Sequence, residues 1–157
     1  MKKNDFLKLI ISVLLPLALG AFAGIFTSKA VPEWYTTLNQ PSFNPPNYLF
    51  GPVWTTLYIL MGISLFLIWK QAKSNERNVA ITVFLIQLIL NFAWSFLFFY
   101  LNRIDIALVE IIVLWISIIV MLIKFYRIKP IAAFINIPYL LWVSFASILN
   151  ASYFLLN

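Results

Sequence analysis

Five apolar runs, at residues 9–26, 49–69, 79–101, 106–123 and 131–156, take up most of this 157-residue chain. At 1.5 Å of rise per residue, each is long enough to cross roughly 30 Å of hydrocarbon. Lipid offers the backbone no hydrogen-bond partner, so such runs must satisfy their own N–H and C=O groups as helices. They lack the alternation of barrel strands. Composition agrees: 63% of the residues are hydrophobic and 10% charged, where soluble domains carry about 25% charged residues. Mean hydropathy is +0.95. The expected fold is an all-α integral membrane protein, a five-transmembrane-helix bundle forming one domain over residues 1–157 with the lipid bilayer as its solvent.

The formal charge of +6 would fit nucleic acid if it were spread over a soluble surface, but its placement is topological. With five spans, the N-terminus and the second and fourth connections share one side. That side carries Lys2, Lys3, Lys8, Lys70, Lys73, Arg77, Lys124, Arg127 and Lys129, against Lys29 and Arg103 opposite. Such a bias predicts a cytoplasmic N-terminus and an external C-terminus, in the cell membrane, with the basic residues near anionic headgroups and no nucleic-acid partner. Lys2 and Lys3, an apolar run and Ala21-Phe22-Ala23 also fit a cleavable signal peptide. The run continues through Gly24-Ile25-Phe26 without a polar break, which favours a retained span.

Three connections are short. The first, at about 27–48, is long and contains Trp34, Tyr35, Pro41, Pro45 and Pro46. Prolines fix φ and narrow the unfolded ensemble, so this segment can hold a shape without regular hydrogen bonding. A lid over the bundle and an interfacial aromatic anchor both fit it. In the third span Gln87, Asn91 and Ser95 recur every four residues and share a stripe. The fifth aligns Tyr139, Trp142, Ala146, Asn150 and Tyr153, and the second adds Trp54, Tyr58 and Met61. Polar groups within spans usually face the bundle, so the interior reads as aromatic, mildly polar and uncharged. Interhelical hydrogen bonding is the structural alternative. It is favoured for Asn150, while both readings stand for Asn91 beside Trp94.

The chain has no Cys and no His. Thiolate chemistry, Cys metal sites and the commonest general base are therefore excluded, and a bound haem would lack its usual axial ligands. No metal site and no cofactor is expected. Glu110 is the one ionisable residue well inside an expected span, a placement that by default suggests function; it lies about a turn from the span's outer end, and the favoured reading is that it reaches the interface. Gly20-x-x-x-Gly24 permits close helix approach. Asn150-Ala151-Ser152 matches a glycosylation acceptor at a depth where it is unusable.

The run Trp34-Tyr35-Thr36-Thr37-Leu38-Asn39-Gln40-Pro41-Ser42-Phe43-Asn44-Pro45-Pro46, then Phe50-Gly51-Pro52-Val53-Trp54-Thr55-Thr56-Leu57-Tyr58, forms a signature. Leu90-Asn91-Phe92-Ala93-Trp94-Ser95, Pro138-Tyr139-Leu140-Leu141-Trp142, Phe145-Ala146 and Leu149-Asn150 continue it in order. The pattern resembles the TspO family of tryptophan-rich sensory proteins, whose animal members are called translocator protein or peripheral benzodiazepine receptor. The resemblance implies a five-helix fold, often homodimeric, with a ligand cavity closed by the first loop. Its implied ligands are protoporphyrin and other tetrapyrroles, sterols in animal members, and benzodiazepine-site compounds.

By motif, the resemblance puts Tyr35 and Pro45 in the lid. It puts Phe50, Trp54 and Tyr58 on one wall, Asn91, Trp94 and Ser95 on a second, and Trp142, Ala146 and Leu149 on a third. Animal members carry a C-terminal sterol motif ending in a basic residue. Here Tyr153 is followed by Phe154-Leu155-Leu156-Asn157, which puts sterol recognition by that route in doubt. Three functions follow from the resemblance: a tetrapyrrole receptor or sensor, light-dependent degradation of protoporphyrin with Trp54 and Trp142 as the redox-active side chains, and transport of porphyrin or sterol-like molecules. Binding leads, because transport would favour internal repeats or broken helices near the midplane. Protoporphyrin would then be ligand or substrate.

Overall fold

The computed structural model describes residues 3–157. Lys2, counted in the charge asymmetry above, lies outside them. The described residues are almost wholly helical: α1 (Lys3–Glu33), α2 (Phe50–Trp69), α3 (Asn75–Ser95), α4 (Ile104–Ile128), α5 (Pro130–Phe134) and α6 (Ile137–Leu156). Five helical segments are long and apolar enough to cross a membrane, the last running through α5 and α6 together. Helix α1 packs along α2, α3 along α4, α4 along α6, and α5 against α2 and α4. The ends of the bundle differ. One bears the long α1–α2 connection. The other carries Lys70, Lys73, Arg77, Lys124, Arg127 and Lys129 and is called here the basic end.

Helix α1 runs past Phe26 to Glu33, so much of the segment expected as loop is helical. Polar Thr27 and Ser28 end the apolar run but not the helix, because their hydroxyls donate to their own helix: Thr27 Oγ1 to Ala23 O at 3.2 Å and Ser28 Oγ to Ile25 O at 3.1 Å. The connection proper begins at Trp34 and includes short 3-10 turns at Tyr35–Thr37 and Asn47–Leu49. It is tied to the C-terminus: Asn39 N donates to Asn157 Oδ1 at 2.9 Å, and Asn39 Nδ2 to Leu156 O at 3.1 Å.

Helix α3 widens into a π-turn over Phe96–Tyr100, with Leu101 N bonded to Phe96 O at 3.0 Å. It ends at Tyr100, and Asn102, just past the Leu101 cap, takes the left-handed region at φ 54°, a conformation that Asn tolerates and that helix ends use. The fifth apolar run breaks between α5 and α6, because Pro138 has no N–H to return to the preceding turn. Asn136 fills the break. Its Nδ2 donates to Ser64 Oγ at 2.6 Å, which in turn donates to Ala132 O at 2.6 Å, fastening the break to α2.

Of the Gly20-x-x-x-Gly24 pair, only Gly20 serves close approach: a Cβ there would collide with the Tyr58 ring. Gly62 makes the backbone contact. A Cβ there would stand 2.5 Å from Val13 Cα and 2.8 Å from Ser12 O, so α1 and α2 touch backbone to backbone at that point.

Candidate functional site

Past Gly20 the α1–α2 contact opens, and a cavity of about 590 Å³ lies between α1, α2, α3 and α6 at the long-loop end. Drug-sized ligands occupy pockets of this scale. Cβ atoms added to Gly24 or Gly51, which both line it, would meet nothing within 4 Å. Among the described residues no charged side chain contributes to the wall.

The wall is aromatic. Trp54 stacks on Tyr58 at 5.5 Å between centroids, and Trp94 on Phe98 at 5.2 Å. Trp142 meets Phe50 edge-on at 6.1 Å. Phe98 and Phe99, consecutive in the π-turn, both line the cavity, and both pack on Tyr35. A π-turn inside a helix is rare and frequent at functional sites. Tyr35 is held by its hydroxyl, which donates to Asn44 Oδ1 at 2.8 Å. The Tyr153 ring lies 5.2 Å from Tyr35, and its buried hydroxyl has no partner among the described residues.

Of the residues singled out from sequence, Tyr35, Phe50, Trp54, Tyr58, Trp94, Ser95, Trp142, Ala146 and Leu149 line the cavity together. Pro45 is half-buried in the connection and does not reach the wall. Asn91 does not reach it either. It is a strut beneath the floor: Tyr58 Oη donates to Asn91 Oδ1 at 2.7 Å, Asn91 Nδ2 to Tyr139 Oη at 3.1 Å, and Tyr139 Oη to Gln87 Oε1 at 2.8 Å. This buried chain joins α2, α3 and α6 and fixes the Tyr58 ring. The stripe of Gln87, Asn91 and Ser95 is thus divided, with only Ser95 facing the cavity.

Asn150 bridges the bundle as its structural reading has it, accepting from Trp94 Nε1 at 2.9 Å and donating to Ile104 O at 3.1 Å. It also lines the cavity. The α1 wall, with Gly24, Thr27, Ser28 and Val31, was missed from the sequence. Its residues carry no charge and no aromatic ring, the hydroxyls of Thr27 and Ser28 donate within their own helix, and the one available signal, glycine spacing, reads equally well as helix packing.

Glu110 departs from expectation. Both its carboxylate oxygens are buried and have no partner among the described residues, so it does not reach out to the interface. It lies on the flank of α4 between Ala107 and Leu114, which are 0% and 2% exposed, and that register turns its side chain inward. Among the described residues no cluster of acidic side chains is placed to hold a metal.

The TspO/MBR family model matches residues 12–156. The chain is 44% identical over 153 residues to the tryptophan-rich protein TspO of Archaeoglobus fulgidus, covering 98% of this chain and 99% of the relative. It is 44% identical over 155 residues to the protein of the same name from Chlorobaculum tepidum, covering 98% of each. It is 35% identical over 136 residues to the human translocator protein, covering 85% of this chain and 80% of the relative.

Proposed function

The chain belongs to the TspO/MBR family, and from that premise we propose that it is a membrane receptor or sensor that binds protoporphyrin and related hydrophobic ligands in the aromatic cavity. The observation that carries this reading is an uncharged cavity of about 590 Å³ with Trp54, Trp94 and Trp142 on its wall. Flat π-systems stack or sit edge-on against such rings, at about 0.5–1.5 kcal/mol per aromatic pair beyond the area buried. With no cation on the wall, the propionates of a tetrapyrrole belong at the mouth, in water or among headgroups. Titrating the purified protein with protoporphyrin in darkness tests the reading. Saturable binding that Trp54→Ala and Trp142→Ala weaken supports it, and binding that both variants keep places the ligand elsewhere.

Binding is favoured over transport because the interior below the cavity is filled. Met61, Phe84, Met121 and Phe125 are 0% exposed, and the Tyr58–Asn91–Tyr139–Gln87 chain closes the floor. Any turnover is then photochemical. The porphyrin absorbs the light, as cofactors carry the hard chemistry, and Trp54 and Trp142 are the oxidisable side chains on the wall. Illuminating bound protoporphyrin with wild type, Trp54→Phe and Trp142→Phe tests this. A distinct product lost in either variant supports catalysis, whereas equal products in all three and in empty micelles leave a binder.

In the same reading the protein is a homodimer in the cell membrane, with the basic end cytoplasmic. Single cysteines at Ser42→Cys and Ser74→Cys should label from opposite faces of intact cells, and labelling of Ser74→Cys from outside would reverse the orientation.

A further inference from the structure

A second concavity, about 300 Å³, lies on the outer surface near the basic end, between α4 and the α5–α6 break. Its walls are Leu122, Ile123 and Tyr126 of α4, Ala133 and Phe134 of α5, and Ile137 of α6, with Arg127 as the one charged residue there among the described residues. It exists because the chain passes from α4 to α5 through Lys129 alone. The short helix must therefore turn away from α4, and Pro138 keeps α5 from running straight into α6. A notch remains where continuous helices would have closed ranks.

We infer that this notch is a binding site for an anionic phospholipid, with an acyl chain against the apolar walls and the headgroup phosphate on Arg127. Ile123, Tyr126, Phe134 and Ile137 are 42–54% exposed on the outside of a membrane bundle, where the medium that covers them is lipid. Tyr126 and Phe134 meet edge-on at 5.8 Å and give the notch a shaped wall. Arg127 makes no hydrogen bond or ion pair among the described residues; the ion pair found there is Arg103–Asp105, at the other end. It sits in the last turn of α4, at the end of a membrane-spanning segment that closes at Ile128, with Lys124 and Lys129 two or three residues away in sequence. A guanidinium there presents a fork of donors matched to phosphate oxygens. A second copy of the chain is a poor occupant, because a two-fold contact on this face would bring Arg127, Lys124 and Lys129 of both copies together. A free phosphate would leave the apolar walls unused.

The test is native mass spectrometry of the delipidated full-length protein, offered phosphatidylglycerol and phosphatidylcholine of identical chains in equal amounts, with inorganic phosphate as a separate competitor. Wild type should retain one phosphatidylglycerol in preference to phosphatidylcholine. Since each basic side chain near a headgroup contributes about 1 kcal/mol, Arg127→Gln should reduce that preference about fivefold. Lys73→Gln, which removes a cation at the same end but away from the notch, should change it less than twofold. Ile123→Trp, a substitution on the lipid-facing surface that fills the notch, should reduce retention of both lipids. Equal losses from Arg127→Gln and Lys73→Gln would reduce the effect to general surface charge and overturn the site. So would an unchanged preference in Arg127→Gln, displacement of the lipid by inorganic phosphate, or a dimer that Ile123→Trp dissociates.

Discussion

At the basic end Phe84 lies parallel to Phe125, with centroids 6.1 Å apart, and both rings are 0% exposed. At the long-loop end Trp142 has Phe50 and Phe145 against it and a cavity on its free side. The helices and the residue types are the same; the use of glycine differs. At Gly62 the missing side chain lets two backbones touch, and the helices close on each other. At Gly24 and Gly51 it faces open space. In this bundle the aromatic-rich interior becomes a pocket where small residues of α1 and α2 line a space between helices that have already diverged.

The largest expected effect strikes the closed half. Gly62→Leu sets a branched side chain against the Val13 backbone and should cost about 3 kcal/mol, the upper end of overpacking penalties. Thermal unfolding in detergent and monodisperse yield would show it; a variant as stable as wild type would mean that the helices are not in contact there. Next, Phe84→Ala should cost on the order of 2 kcal/mol. In lipid the loss is of packing and dispersion rather than transfer from water, so it falls below the value for a soluble core.

In the open half the ranking of stability and binding reverses. Gly24→Leu should leave the melting temperature nearly unchanged while weakening protoporphyrin binding about tenfold, since its side chain takes up ligand space; a large loss of stability would contradict an open cavity. Trp54→Ala and Trp142→Ala should each lower affinity roughly two- to tenfold, with smaller changes in unfolding than Phe84→Ala. The smallest effect belongs to Glu110→Gln. Removing a carboxylate with no partner among the described residues should raise stability by no more than about 1 kcal/mol and leave binding unaltered. A marked fall in stability would reveal a partner that the carboxylate needs.

The number of spans, the shared side of the basic residues and the aromatic faces of α2 and α6 follow from the sequence alone. Hydropathy, charge and helical period act locally, and each acts on its own run of residues. The resemblance added the order in which those faces assemble, and most of the residues it pointed to line one cavity. What only the tertiary structure decided are relations between runs. Gly62 rather than Gly24 is the close contact, because that depends on where α1 and α2 diverge. Asn91 holds the floor instead of lining the cavity, because Tyr58 and Tyr139 reach it from other helices first. Helix α1 continues through Thr27 and Ser28 because their hydroxyls find carbonyls in their own helix, which hydropathy cannot register. Glu110 turns inward because its flank of α4 lies between two buried positions. A linear pattern specifies what each segment is able to bury, whereas the packing of the whole bundle settles which neighbour covers it and where a cavity remains.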